Sequence, residues 1–349
     1  MHTIDTRHNK ANEIVKYRFF ELLEHSRDGK DPKTVNQYVN AVHEFEVATG
    51  FKDFRKYTSD WAITFKNYLS DKRNKRTGDN VTKSLYFQYI TFVREFFEWL
   101  VTNRRDYAKI KQEDIDFLHV TRNDKNRARA TNFQESHNIT DILSTIRSMP
   151  ETNEKEMRAK AMVSLTLLTT PIISSLQTAR IQSIRYFSDY DTWALIQDPR
   201  VQNTKFAKKF ISFFIGQSDD IIQNVLRWRD HLMSKGYKDK DYLFPRIATS
   251  FRAEGKAVMG LTKEPIKSQT QIRNAFTEAF TNNGLPHRKF HTFRHSVTRK
   301  MRKSENATDL LIAQAENIGQ KTGMAVLVSS YAGDYLGEQA KLLKGFKLE

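Results

Sequence analysis

Four runs of apolar side chains recur at three- and four-residue spacing within the first 105 residues, a period that fits helices and not strands. Residues 10 to 25 carry Ile14, Val15, Tyr17, Phe19, Phe20, Leu22 and Leu23 on such a repeat. SRDGKD interrupts it. Asp31 and Pro32 then supply a cap and first turn for a second helix, with Val35, Tyr38, Val39, Val42 and Phe45 on one face and Gly50 closing it. Trp61, Phe65 and Leu69 recur at spacing four in a third, and the densely aromatic SLYFQYITFVREFFEWLVTN gives a fourth. These runs predict a helical domain over residues 1–105, with its aromatic side chains in a core rather than on a nucleotide-stacking surface.

The period lapses over residues 106–137, where NDKNRARATNFQESHN is charged and lacks an apolar repeat, which reads as a basic interdomain linker. Residues 138–349 resume it. ITDILSTIRSMP and KEMRAKAMVSLTLLTT predict helices, while DYDTWALIQDP and KKFISFFIG predict short strands. IIQNVLRWRDHLMSKG, SQTQIRNAFTEAFTNNG, Phe290 to Lys303, ENATDLLIAQAENIG and MAVLVSSYAGDYLGEQAKLL add a mainly helical array, with DYLFP as a short extended piece. The expected fold is mainly α with a small β-sheet: a helical first domain and an α+β second one. A chain of 349 residues exceeds what one core usually serves.

Lysine and arginine number 57 against 41 acidic residues, a formal net charge of +16 spread along the chain. A folded basic surface of this kind takes nucleic acid as its default partner. Lys72, Arg73, Lys75 and Arg76, after the third helix, and Lys125, Arg127 and Arg129, in the linker, are candidate DNA-binding residues. Such contacts position a duplex without reading its bases. With no cysteine there is no disulfide framework, thiolate metal site or cysteine nucleophile. Gly-x-Gly-x-x-Gly, P-loop and His-Glu-x-x-His patterns are absent, so no cofactor and no metal is expected. No run approaches 18 apolar residues and the N-terminus is polar, which predicts a cytoplasmic, DNA-associated protein without a membrane partner.

The chemistry concentrates in FHTFRHSVTRKM. His291, Arg294 and His295 share one helical face there, an arrangement suited to a phosphate group. Arg180 in SLQTARIQSIRYF and Lys205 in QNTKFAKKFISFF precede it, and Tyr331 and Tyr335 follow. A tyrosine hydroxyl that reaches a bound phosphodiester can attack it and become covalently attached to the strand. This ordered set resembles the tyrosine recombinase, or phage integrase, family over residues 140 to 345, and the helical first domain looks like that family's core-binding domain.

The resemblance implies a role for each residue. Arg180, in Thr178-Ala179-Arg180, falls on the first catalytic arginine, with Arg185 as a rival. Lys205 falls on the hairpin lysine, with Lys208 and Lys209 close by, and His291, Arg294 and His295 fill the second box. Two positions depart from the family's pattern. Ser183 stands three residues after Arg180, where the family often has an acid. Gln320 follows Ile318-Gly319 where the family carries His or Trp; it can donate a hydrogen bond but cannot exchange a proton, and Lys321 beside it could compensate. Tyr331 matches the nucleophile and Tyr335 is the alternative.

The implied activity is site-specific recombination or integration through a 3′-phosphotyrosine intermediate. The implied partner is double-stranded DNA with inverted half-sites, gripped by a two-domain clamp. The protein is expected to be monomeric or weakly associated when free and a homo-tetramer on two DNA sites. Leu336, Ala340, Leu343 and Phe346 form an apolar stripe near the C-terminus that either docks on a neighbouring protomer or caps its own domain. The alternatives are a DNA-binding architectural protein without catalysis, for which Ser183 and Gln320 argue, and a type IB topoisomerase or telomere resolvase.

Overall fold

Local signals in the first third become helix ends one by one. In the computed structural model, which describes residues 8–74, 78–122, 135–216, 218–251, 257–320 and 335–348, helix α1 (Lys10–His25) starts where the Asn9 side chain accepts from the Ala11 and Asn12 amides. Helix α2 (Pro32–Thr49) is capped by Asp31, has Pro32 in its first turn, and stops at Gly50, whose φ of 68° suits a residue without a Cβ. Helices α3 (Ser59–Asp71) and α4 (Lys83–Asn103) complete the set, the latter capped by Thr82 onto the Leu85 amide.

The chain divides into two units, Met1–Phe133 and Gln134–Glu349. The first is held by fully buried Phe45, Phe54, Phe65, Phe96 and Phe97. Phe45 meets Phe65 and Phe97 edge-on at 5.2 Å, the arrangement aromatic quadrupoles favour. The expected linker start at residue 106 is corrected. Tyr107, Ile110, Ile115 and Leu118 all belong to this core, and a short helix α5 (Gln112–Asp116) lies among them. Four apolar residues spread over a 3-10 turn and a five-residue helix are too few to establish a period, so the polar composition of the stretch dominated the reading.

The second unit centres on a helix whose later turns are buried on every side. In α7 (Glu154–Thr169) almost every residue from Arg158 onward is buried, so neighbours surround it. Around it lie α6 (Ile139–Ser148), α8 (Ile173–Thr178), α9 (Asp219–Ser234), α10 (Gln269–Thr281), α11 (Thr292–Met301), α12 (Ala307–Asn317) and α13 (Tyr335–Gly345). A three-stranded antiparallel sheet, in the order β1 (Ile184–Phe187), β2 (Thr192–Gln197) and β3 (Phe210–Phe213), pairs Ile184 with Leu195 and Ala194 with Phe213. A separate ribbon pairs β4 (Pro245–Phe251) with β5 (Ala257–Pro265). Strands β2 and β3 were anticipated; β1, only four residues long and directly after a 3-10 turn, and the ribbon were not.

The C-terminal stripe packs on its own unit. Ala340, Leu343, Phe346 and Leu348 are buried in the second unit's core, whereas Leu336 is exposed. The Gly216 amide donates to the Leu343 carbonyl at 2.8 Å, and Lys344 pairs with Asp191 at 2.6 Å. Among the described residues no helix is long and apolar enough to cross a membrane.

Candidate active site

His291 immediately precedes helix α11, so His291, Arg294 and His295 lie within about a turn and a half at its start. The two imidazoles face each other, with Nε2 atoms 3.0 Å apart and ring centroids 4.8 Å apart. One ring must donate and the other accept, so the pair shares a single proton between the facing nitrogens. Partial desolvation holds both below the ordinary histidine value, reinforced by His295, Arg294 and Lys289 around His291 and by Arg299 and Arg294 around His295. Burial likewise lowers Arg294, a group that stays charged at any relevant pH.

What fixes Arg294 is the end of α7. The helix closes at Thr170, a non-glycine residue at φ 42° and ψ 49° just before Pro171. The Thr170 carbonyl accepts from Arg294 at 2.8 Å, and its hydroxyl accepts from the Gln314 amide of α12, also at 2.8 Å. One backbone position thus ties α7, α11 and α12 behind the cationic cluster.

Lys205 reaches the cluster from the loop between β2 and β3. Its ammonium donates to Gln320 Oε1 at 3.3 Å. Burial first, and the Arg294 charge second, lower its pKa. Lys208 and Lys209 are exposed. Gln320 is placed by its neighbours: Gly319 has φ 64°, and a Cβ there would lie 2.7 Å from the Phe210 ring, so only glycine lets the end of α12 lie this close to β3. The fully buried Asn317 side chain accepts from the Phe213 amide at 2.6 Å and donates to the Phe213 carbonyl at 3.0 Å, holding α12 to β3 as another strand would.

Arg180 lies on the far side of the same loop. Its Nε donates to the Val201 carbonyl and one terminal nitrogen donates to the Lys240 carbonyl, both at 3.1 Å. Its guanidinium lies over the Tyr242 ring, 3.7 Å from the centroid. None of these partners belongs to α11. The loop itself is anchored beside Arg180, because the Asn203 amide donates to the Thr178 hydroxyl at 2.8 Å. Ser183 is buried, accepts from the Arg180 amide at 3.3 Å and donates to Gln202 at 2.6 Å. The rival Arg185 is exposed on β1.

The remaining expected residues divide into two groups. Lys72 donates to Glu44, and to the Tyr68 hydroxyl at 3.1 Å, so its charge is already matched within the first unit. Arg73 is exposed and bridged to Asn80. Lys75, Arg76, Lys125, Arg127, Arg129, Lys321 and Tyr331 lie outside the described residues, and Tyr335 is described in its backbone alone, at the start of α13. His8, Glu13 and Glu46 bring potential metal-ligand atoms within 4.8 Å of one another, but the Lys16 ammonium bonds both carboxylates and already supplies their counter-charge. Sequence reasoning missed Thr170, Tyr242 and Asn317. A Thr-Pro pair marks the first, and nothing local marks the other two.

The arrangement of helices and sheet is one seen before. The XerH site-specific recombinase in its post-cleavage complex with palindromic difH substrate aligns with a TM-score of 0.55, at 12% identity over 97% of this chain and 90% of that one. The Tn1549 transposon integrase in complex with circular intermediate DNA gives 0.53, at 14% identity over 94% and 98%. The lambda integrase tetramer bound to a Holliday junction gives 0.53, at 13% identity over 92% and 82%. The chain therefore has the fold of the tyrosine recombinases and integrases, as its cluster of residues implied. No family model matches the chain, and no curated protein matches its sequence.

Proposed function

We propose that this chain is a site-specific DNA recombinase or integrase that breaks and rejoins strands through a 3′-phosphotyrosine. The observation that carries the reading is the meeting of His291, Arg294 and His295 on α11 with Lys205 and Gln320, within a fold shared with enzymes solved on DNA. Arg294 and Arg180 clamp the nonbridging oxygens of the scissile phosphate, where preorganised donors contribute on the order of 3 kcal/mol each. The Tyr331 oxygen bonds to phosphorus as the bond to the 5′ oxygen breaks. Lys205 gives its proton to that departing oxygen, a task its lowered pKa favours. The neutral histidine pair accepts the phenolic proton. The phosphotyrosyl ester retains the bond energy, so a 5′ hydroxyl from another strand reverses the step without ATP.

Strand exchange between two duplexes calls for four such tyrosines, and a lambda integrase tetramer occupies a Holliday junction. The same assembly is proposed here, on DNA with inverted half-sites.

The test is a nicked suicide duplex built on the sequence that the chain protects in DNA flanking its coding region. Wild-type protein is expected to become covalently linked to it, and Tyr331→Phe to form no adduct. An adduct that survives in Tyr331→Phe and disappears only in Tyr335→Phe would reassign the nucleophile. Salt-sensitive binding without any adduct would instead support the architectural reading.

A further inference from the structure

We propose that Tyr242 is the positioning residue of Arg180, in place of the carboxylate expected three residues after it. The proposal rests on the reading of Arg180 as a phosphate clamp. Among the described residues Arg180 has no carboxylate partner, and the Ser183 hydroxyl bonds the Arg180 backbone amide and Gln202, not the guanidinium. Asp241 immediately precedes Tyr242, but it accepts from the Lys238 amide at 2.8 Å and lies 3.8 Å from Lys263. The guanidinium carbon instead lies over the Tyr242 ring, 3.7 Å from its centroid, with two carbonyls accepting from its nitrogens.

The ring is held there by backbone pairing. Arg180 and Tyr242 form an isolated antiparallel bridge. On either side of it the Leu243 amide donates to Ala179 at 2.8 Å and the Ile181 amide donates to Asp241 at 3.0 Å. A strand-like register of this kind sets side chains on adjacent chains face to face. Tyr242 therefore supports Arg180 as directly as a hydrogen-bonded acid would, but without a negative charge.

That difference has a chemical consequence. A guanidinium has five N–H donors; the Val201 and Lys240 bonds use two, and five less two leaves three for a phosphate. A carboxylate would occupy two donors and cancel part of the charge. The aromatic face attracts the cation through its quadrupole and uses no donor. Because the Val201 carbonyl belongs to the loop that carries Lys205, the ring also fixes Arg180 against the segment that delivers the proton donor.

The experiment measures the single-turnover rate of adduct formation on the suicide duplex, together with DNA affinity. Tyr242→Leu is expected to slow the adduct roughly fivefold to tenfold, as loss of a partly exposed cation–π contact would, at unchanged affinity. Tyr242→Phe, which keeps the ring and loses the hydroxyl, is expected within about twofold of wild type. In an Arg180→Ala background, where no cation remains over the ring, Tyr242→Leu is expected to add no further loss. Tyr242→Met, whose unbranched chain adapts to an irregular gap, replaces the leucine variant if the latter does not fold. A leucine variant at wild-type rate, a phenylalanine variant as slow as leucine, or equal losses in both backgrounds would overturn the proposal and leave the recombinase reading standing. Failure of wild-type protein to form any adduct would overturn both.

Discussion

A shared proton between His291 and His295 makes the site sensitive to pH in a definite direction. Both groups, and the buried His137, lie below the ordinary value of about 6.5 in the folded chain. As pH falls through that value the unfolded chain takes up these protons first, so stability is complete above it and is lost progressively below it. The thermal midpoint is expected to fall between about pH 7.5 and about pH 5.5, before the carboxylates titrate, and replacing both histidines of the pair by Gln is expected to shrink the drop. A flat or rising midpoint across that window would refute the assignment. At this scale the sequence was most informative where residue type alone carries the chemistry. His291, Arg294 and His295 were legible because helical spacing puts them together, and Lys205 because it precedes a strand. Tyr242 was not, since its meeting with Arg180 depends on a bridge between segments about 60 residues apart.

Elements were legible where they were long and periodic. Helices α1 to α4 stand close to where their apolar repeats place them, whereas the residues of α5 were absorbed into an expected linker and the β4–β5 ribbon was overlooked. The fate of the last helix could not be read, because an apolar stripe looks the same whether it serves its own domain or a neighbour. The structure settles its packing: Leu343 is fully buried in its own unit, so α13 contributes to the stability of the free chain. Leu343→Ala is expected to destabilise the second unit by about 2–5 kcal/mol, read from a shifted urea midpoint of the DNA-free protein. An unchanged midpoint, with loss seen only in complexes on DNA, would show that the helix serves assembly instead.

For the whole molecule, two separate cores mean two separate sources of cooperativity. The first unit has its own phenylalanine cluster and the second its own helix-and-sheet core. Residues 8–122 and 135–349, expressed apart, are each expected to fold and to unfold in a single cooperative transition by circular dichroism. A first piece without a melting transition would show that its core depends on the rest of the chain. The charge of +16 sets a further demand, because counter-ions or a bound polyanion that screen the self-repulsion also remove what keeps copies of the chain apart. Here the clasp of Asn317 on Phe213 acquires a second meaning. Strand β3 is an outer strand of its sheet, and an outer strand with free amides and carbonyls is a template on which another chain can add. The Asn317 side chain occupies both groups of Phe213, and just beyond the strand Leu343 takes the Gly216 amide. The opposite margin, β1, is only four residues long and exposes Arg185. The contacts at the end of α12 thus also cover the last residue of that outer edge, and damage to the clasp is expected to appear as aggregation.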